Sequence, residues 1–364
     1  MNVLHLLATG GTGGIETLCR EYAEESQHRN IFLFIWKGGS TAEALKAAGK
    51  EVIVLNSNFQ KTVNTFFSIL KICKRSKIDV VIVQHASPIS HVYAVLLRKM
   101  NKNLKIIAYA HGNAADMGGF ENDKHARLKK AAIKLSLDNA DRVIAISNSV
   151  KNSLISRFGT DKKKIDIVYN GVDLKKFKKN EIKNSFCKLI YVGRLIEQKG
   201  VQNTIEVLAQ LPLHDKFHFN IIGDGYYRNT LEALAEKYDL RPSVTFWGTQ
   251  KNVSEFLSEA DIFIHLPEWE EGFGITIVEA MAAGLLVICR NTGAISEVVN
   301  NSVDGIVLSR DGFREELPQI LLNIEHNPEK YVQIRKEAVK SAEKFSIEEY
   351  AKKMDSIVSK CRKS

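Results

Sequence analysis

Runs of apolar, often β-branched residues recur along the chain with longer helical stretches between them. In the first half they are Val3 to Leu7, Ile31 to Ile35, Val52 to Leu55, Val80 to Val83, Ile106 to Tyr109 and Val143 to Ile146. A second series follows a lysine-rich stretch from Lys175 to Lys188: Leu189 to Val192, Phe217 to Ile222, Val244 to Phe246, Ile262 to Ile264 and Leu285 to Cys289. Short, mainly apolar runs suit strands buried on both faces, and their alternation with helices predicts βαβ units on parallel sheets. Two α/β domains follow, each a doubly wound parallel sheet, over 1–180 and 181–345. Beyond Gly274, Ile275, Val278 and Ala282 recur at i, i+3 and i+7, which predicts a helix with one apolar face. No repeat of 20 to 50 residues is visible, and the lysines of the junction are the only low-complexity tract.

A chain of 364 residues with 45% hydrophobic content can bury two cores. The N-terminus has no basic segment followed by an apolar one, and no apolar run reaches the roughly 18 residues of a membrane span, so a cytoplasmic protein is expected. Cys19, Cys73, Cys187, Cys289 and Cys361 stand singly with no CxxC spacing, which argues against a disulfide framework or a zinc site. The net charge of +9 is unevenly spread. Residues 1–185 hold 30 Lys and Arg against 16 Asp and Glu, whereas 186–364 hold 21 against 26. A basic first half suits a phosphate-bearing ligand or an anionic membrane surface better than nucleic acid, and solvated lysines are the plain alternative.

Candidate chemistry gathers in the loops that follow predicted strands, the edge at which open α/β sheets bind ligands. The segment Glu271-Gly-Phe-Gly-Ile-Thr-Ile-Val-Glu279 sets two carboxylates on either side of a glycine loop and a helix start, where backbone N–H groups can meet an anion. Thr9-Gly-Gly-Thr-Gly-Gly-Ile-Glu16 follows the first strand and also suits phosphate. It looks like the nucleotide loop of short-chain dehydrogenases and sugar-nucleotide epimerases, but Glu16 stands where the third glycine belongs, and none of the 10 tyrosines has a lysine four residues on. In Tyr191-Val-Gly-Arg-Leu-Ile-Glu-Gln-Lys-Gly200, Arg194 can grip diphosphate oxygens in a bidentate way and Lys199 adds a point charge. His111 closes an apolar strand of the first half, and Gly223-Asp-Gly225 and Trp247-Gly-Thr249 end strands of the second. Each of these has a bland reading as a turn or a satisfied histidine.

In this order, the segments resemble a retaining family 4 glycosyltransferase of the GT-B fold, over nearly the whole chain. The family's E-x7-E motif is matched by Glu271 and Glu279. Its Gly-Gly-x-Glu loop is matched at Gly13, Gly14 and Glu16, its Val-Gly-Arg-x4-Lys-Gly at Val192 to Gly200, and its Asn-Gly-Val-Asp at Asn170 to Asp173. The resemblance implies two Rossmann-like domains facing a cleft, an acceptor domain and a donor domain, with the final helix over 346–364 packing back onto the first. It also implies transfer of a hexosyl or N-acetylhexosaminyl group from a nucleoside-diphosphate sugar, expected to be a UDP-sugar, to a hydroxyl of a glycan, glycolipid or other acceptor.

The implied donor contacts are Gly13, Gly14, Gly193, Arg194, Lys199, Gly248, Thr249, Glu271, Phe273, Gly274 and Glu279, with Glu279 on the ribose and Glu271 on the sugar. Glu16 and His111 are implied on the acceptor side. Glu271, His111, Arg194 and Lys199 carry the chemistry, with no metal and no cofactor. One departure stands out: relatives usually have Pro-Ser before the first motif glutamate, and this chain has Pro267-Glu-Trp-Glu-Glu271. The stretch Lys124 to Lys134 predicts a basic helix that can lie on an anionic membrane carrying a lipid-linked acceptor. The competing readings are an NAD-dependent epimerase and a non-catalytic nucleotide-sugar-binding subunit.

Overall fold

The computed structural model describes residues 1–11, 14–84, 87–113, 126–177, 186–211 and 216–361. The chain divides into two compact units, Met1–Gly171 with Ile347–Ser364, and Val172–Ser346. Among the described residues the first unit holds a 7-stranded sheet of β1 (Asn2–Thr9), β2 (Arg29–Lys37), β3 (Glu51–Val54), β4 (Val80–Val83), β5 (Lys105–Ala110), β6 (Arg142–Ala145) and β7 (Ile165–Ile167), in the order β3-β2-β1-β4-β5-β6-β7. The second holds a 6-stranded sheet of β8 (Lys188–Val192), β9 (His218–Ile222), β10 (Val244–Gly248), β11 (Ile262–His265), β12 (Leu286–Arg290) and β13 (Ile306–Leu308), in the order β10-β9-β8-β11-β12-β13. Every pairing in these two sheets is parallel.

The central strands are buried along their length. All of β4, β11 and β12 is inaccessible, as helices on both faces require. In each sheet the chain runs outward in one direction and then starts again on the other side of its first strand. The order therefore reverses between β1 and β4 and between β8 and β11, which opens a crevice at the carboxyl ends of those strands.

Two strands that the apolar runs do not predict, β7 and β13, are three residues long and lie at the edge of their sheets. An edge strand of that length leaves too few residues to show a period. The helix after Gly274 forms over Ile275–Ala282, but it is not apolar on one face only. Ile277, Val278, Ala280, Met281 and Ala282 are all buried, because it is covered by the sheet and by the helix Glu329–Ala342.

The helix Ile347–Lys360 belongs to the first unit and packs on the helix Gly14–Glu25. Asp355 accepts hydrogen bonds from Tyr22 Oη at 2.7 Å, Ser26 Oγ at 2.8 Å and the backbone N–H of Gln27 at 2.8 Å. Tyr22 also meets Tyr350 edge to face at 5.7 Å. At the crossover a side chain on Gly171 would come within 2.7 Å of Tyr350 Cβ, so only glycine lets the chain pass there. Removing the Asp355 carboxylate strands the buried Tyr22 hydroxyl. Asp355→Ala is expected to destabilise the first unit by about 2 to 3 kcal/mol, read as a lower urea midpoint, whereas Ser26→Ala changes it by less than about 1 kcal/mol.

Candidate active site

In the second unit the strand-end glycines form a row from the reversal point to the sheet edge at β10. The Gly193 N–H donates to the Ile222 carbonyl at 3.0 Å and the Gly223 N–H to the Gly248 carbonyl at 2.9 Å, linking the ends of β8, β9 and β10. Arg194 follows Gly193 and is exposed, with no ion-pair partner among the described residues. Beyond it the chain makes a short 3-10 turn over Glu197–Lys199 and enters the helix Val201–Gln210 through Gly200. Gly200 has φ +69, and a side chain there would run into the Leu266 carbonyl, so this glycine holds the turn against the loop after β11.

That contact brings Lys199 to Glu271. Lys199 Nζ lies 2.7 Å from Glu271 Oε2, and His265 Nε2, at the end of β11, lies 2.9 Å from the same oxygen. The Lys199 and Glu271 side chains are 15% and 12% exposed. Burial pushes the Glu271 carboxyl up, but Lys199 and His265 outweigh it and hold the group below the usual carboxylate range. Burial pushes His265 down, against the pull of Glu271, so it is neutral and donates from Nε2. Its ring stacks at 6.2 Å on both Tyr191 and Phe263, and Nδ1 has no hydrogen-bond partner among the described residues. Lys199 also sits 5.4 Å from the centre of the Trp269 ring.

The acidic run before Glu271 has a structural explanation. Glu268 accepts from Arg290 Nη1 and Asn203 Nδ2, both at 2.6 Å, while Glu270 pairs with Arg310 at 2.7 Å and takes the Gly293 N–H at 2.5 Å. Only the third acid turns to Lys199. Arg290 and Arg314 both lie over the Phe313 ring, at 4.3 and 4.6 Å from its centre, and Arg314 donates to Asn203 Oδ1 at 2.7 Å. Past Glu271, Phe273 is buried and meets Phe345 edge to face at 5.5 Å. Gly274, at φ +86, caps the helix that carries Glu279, whose side chain is half-buried. On β10, Trp247 is 46% exposed and its indole N–H donates to Asn220 Oδ1 at 2.9 Å, with Gly248 and the exposed Thr249 following.

In the first unit the glycine run after β1 divides in function. A side chain on Gly10 would strike the Gly38 carbonyl, so Gly10 serves packing, whereas Gly11 faces open space. Gly13 lies outside the described residues; Gly14 opens the helix Gly14–Glu25 and is exposed, and Glu16 is half-buried in its first turn. His111 follows β5, stacks on Tyr109 at 3.9 Å and lies 2.8 Å from Gln84 Oε1 through Nε2. The basic helix forms over Ala126–Asn139, with Lys124 outside the described residues. Among the described residues no group of three or more His, Cys, Asp and Glu could hold a metal ion, and no helix is long and apolar enough to cross a membrane.

Both sheets thus present the loop after their first strand at the point where strand order reverses. The model of Glycosyltransferase Family 4 matches residues 12–176, and that of the Glycosyl transferases group 1 matches residues 172–341. The chain belongs to the family 4 glycosyltransferases. The chain is 31% identical over 240 residues to an uncharacterized glycosyltransferase of Methanocaldococcus jannaschii, a match covering 62% of this chain and 60% of that one. It is 26% identical over 246 residues to the N-acetyl-alpha-D-glucosaminyl L-malate synthase of Bacillus anthracis, covering 65% and 62%. The chain therefore spans about 60% of the length of these curated relatives. Its fold matches Anabaena HepE, solved in complex with UDP-glucose, with a TM-score of 0.86 over 99% of this chain and 100% of that one at 19% identity. The fold is GT-B, two Rossmann-like domains.

His265 is a site residue that the apolar pattern alone does not single out, although a signal exists. Like His111 it closes an apolar strand, but the apolar run itself stops at Ile264. Gln84 gives no such signal. Within the second unit the structure brings Lys199 and Glu271 into contact, and it ties Lys199 to a carboxylate where the resemblance implied a phosphate partner. Glu271→Gln leaves Lys199 largely buried without its counter-charge and is expected to cost about 3 kcal/mol. Because the folded carboxyl titrates below its unfolded value of about 4.3, its contribution is complete above that pH and is lost as pH falls through the folded value. The gap in Tm between wild type and Glu271→Gln should therefore persist down to about pH 5 and close only below about pH 4, as followed by calorimetry across that range.

Proposed function

We propose that this chain is a retaining glycosyltransferase that moves a hexosyl or N-acetylhexosaminyl group from a UDP-sugar to a hydroxyl of a glycan or glycolipid acceptor in cell-surface polysaccharide or glycoconjugate synthesis. The observation that carries the reading is the Lys199, Glu271 and His265 cluster at the β8 and β11 ends, just before the glycine-capped helix that bears Glu279. A carboxylate kept charged by Lys199 and oriented by a neutral histidine is a strong acceptor for sugar hydroxyls. Glu279 takes the ribose diol, and Trp247 to Thr249 take the base. Arg194, with no ion pair among the described residues, and Lys199, through N–H donors beyond the one held by Glu271, meet the diphosphate with the N–H groups of Phe273 and Gly274. The HepE complex with UDP-glucose and the N-acetyl-glucosaminyl name of the Bacillus relative support a UDP-sugar of this class.

As the anomeric bond breaks, positive charge grows on the sugar and negative charge on the leaving phosphate. Cations already placed on the phosphate side then do most to lower the barrier, and losing one typically costs a few kcal/mol of transition-state stabilisation. Glu271 is held below the usual carboxylate range, so it is a poor proton acceptor at neutral pH. Same-face attack, with the departing phosphate taking the acceptor proton, fits that better than general-base catalysis by Glu271. His111 and Glu16 serve the sugar and acceptor from the first domain, and no metal is required.

In a thermal-shift panel, UDP is expected to stabilise the protein more than GDP, ADP or TDP, by roughly 2.7 kcal/mol at about 100 times its dissociation constant. Arg194→Ala should lower kcat about 100-fold, with transfer unaffected by excess chelator in wild type. Stabilisation by none of the four nucleotides, or a covalent sugar on the protein by intact mass, would sink this mechanism.

The acceptor side also supports contact with an anionic membrane at the cytoplasmic face. Leu128 and Leu135 on the helix Ala126–Asn139 are 71% and 47% exposed, and Leu96 and Met100 on the neighbouring helix Pro88–Met100 are 38% and 56% exposed. Arg127 and Lys130 flank Leu128, whereas Lys134 is occupied by Asp138 and the Phe158 carbonyl. An apolar surface rimmed by cations suits the interface of an anionic bilayer. Co-sedimentation with vesicles containing phosphatidylglycerol should weaken with salt and fall at least about fivefold in Arg127→Glu/Leu128→Glu; binding that ignores both overturns the membrane reading.

A further inference from the structure

A row of buried polar side chains crosses four adjacent strands of the first unit. Asn30 on β2 places Oδ1 2.8 Å from Nε2 of His5 on β1, His5 Nδ1 lies 2.8 Å from Nε2 of Gln84 at the end of β4, and Gln84 Oε1 lies 2.8 Å from Nε2 of His111 at the end of β5. His5, Gln84 and Asn30 are 0%, 2% and 8% exposed, so water cannot substitute freely for these bonds.

The directions of the donors follow from one backbone carbonyl. Asn30 Nδ2 donates at 3.0 Å to the His28 carbonyl, which can only accept, so the Asn30 amide has a single orientation. Its oxygen faces His5 Nε2, which must therefore carry the proton. Burial, with Asn30 and Asp355 opposing, brings His5 down to about 4, so the ring is neutral near pH 7 and its Nδ1 is bare. Stacking on Phe32 at 4.6 Å and edge contact with Tyr22 at 5.7 Å hold the plane of that ring, and the bonds to Asn30 and Gln84 set which edge each nitrogen occupies. A bare Nδ1 accepts from the Gln84 amide nitrogen, which turns the Gln84 oxygen toward His111, and an oxygen there demands a proton on His111 Nε2.

We propose that Asn30, His5 and Gln84 are positioning residues that hold His111 with its proton on Nε2, so that Nδ1 meets the substrate as an acceptor for a sugar hydroxyl. This rests on the reading of His111 as a sugar contact given above. The relay is a chain of fixed donors and acceptors through which no proton need move. A donor-only group in place of Gln84 would reverse the His111 tautomer, and a group unable to hydrogen-bond would release it.

Long-range proton–nitrogen NMR of the full chain at pH 8 tests the relay directly. In wild type, His5 and His111 should each show a protonated, pyrrole-type Nε2 and a pyridine-type Nδ1; a proton on His111 Nδ1 overturns the proposal. In Gln84→Met the single His111 tautomer should give way to a mixture and transfer should fall about tenfold, the loss of one hydrogen bond worth of binding. Gln84→Glu keeps an acceptor against His111 Nε2, but its second oxygen faces the bare His5 Nδ1 and draws a proton onto that ring. It should restore the single His111 tautomer and transfer at least about threefold faster than Gln84→Met at pH 8, with the acid limb of kcat/KM moved to higher pH because the carboxylate favours the imidazolium. A structural role alone would not shift that limb. Restored tautomer without restored transfer overturns the acceptor role. If His111→Ala transfers as fast as wild type while the wild-type spectrum carries the Nε2 proton, the assignment of His111 to the sugar fails and the relay stands.

Discussion

Glu271 must stay ionised in a place where it is mostly out of water, and much of the second domain is arranged around that constraint. A buried carboxylate otherwise escapes the desolvation cost by taking up a proton. Lys199 and His265 prevent this, each within hydrogen-bond distance of the same oxygen. Lys199 reaches it because Gly200 lets the preceding turn lie on the Leu266 carbonyl, and His265 reaches it because β11 continues one residue past its apolar run. The preceding acids, Glu268 and Glu270, are tied to Arg290, Asn203 and Arg310, so the loop enters Glu271 from a fixed direction. Remove the need for a charged Glu271, and the pattern Pro267-Glu-Trp-Glu-Glu271 has no evident reason.

The strand cores are legible in the sequence because burial on both faces leaves a largely apolar run, unbroken in β2, β4, β5, β8 and β12 and interrupted by His5 in β1 and by Asn220 in β9. Their ends are less so, since the last residue of a strand at the carboxyl edge is often polar and functional. His265 falls outside its apolar run for that reason. The edge strands β7 and β13 escape notice because Ile165–Ile167 and Ile306–Leu308 are too short to stand out from the loops around them. Among site residues, Glu271, Glu279, Arg194 and Lys199 can be singled out by their place beside glycine turns. The ion pair between Lys199 and Glu271 joins positions 72 apart, and no local pattern encodes it. The same holds for Arg290 with Glu268, whose value lies in a contact that only the folded sheet creates.

Glycine patterns overstate the ligand and understate the backbone. Of the run after β1, Gly10 is required by the Gly38 carbonyl beside it, and Gly200 by Leu266. Gly11, with open space about it, and Gly14, at a helix start, remain suited to a phosphate. Motif glycines of this fold thus divide into those that let two strands close up and those that leave room for a ligand. Only the three-dimensional surroundings of each position tell the two apart.

The two domains meet a common problem in a similar way. Across the reversal point from each first strand stands a polar residue sealed inside the sheet edge, Gln84 after β4 and His265 at the end of β11. Each would be costly to bury alone, and each is kept because it has a partner whose orientation it sets, His111 in one case and Glu271 in the other. Neither has a charge of its own at neutral pH, so neither competes with an anionic ligand or repels it. A neutral group that can point a donor or an acceptor in one direction only is well matched to this task. An aspartate or lysine in its place would bring a charge needing its own counter-ion, at the one edge of the sheet where a diphosphate or a sugar has to find the field already arranged.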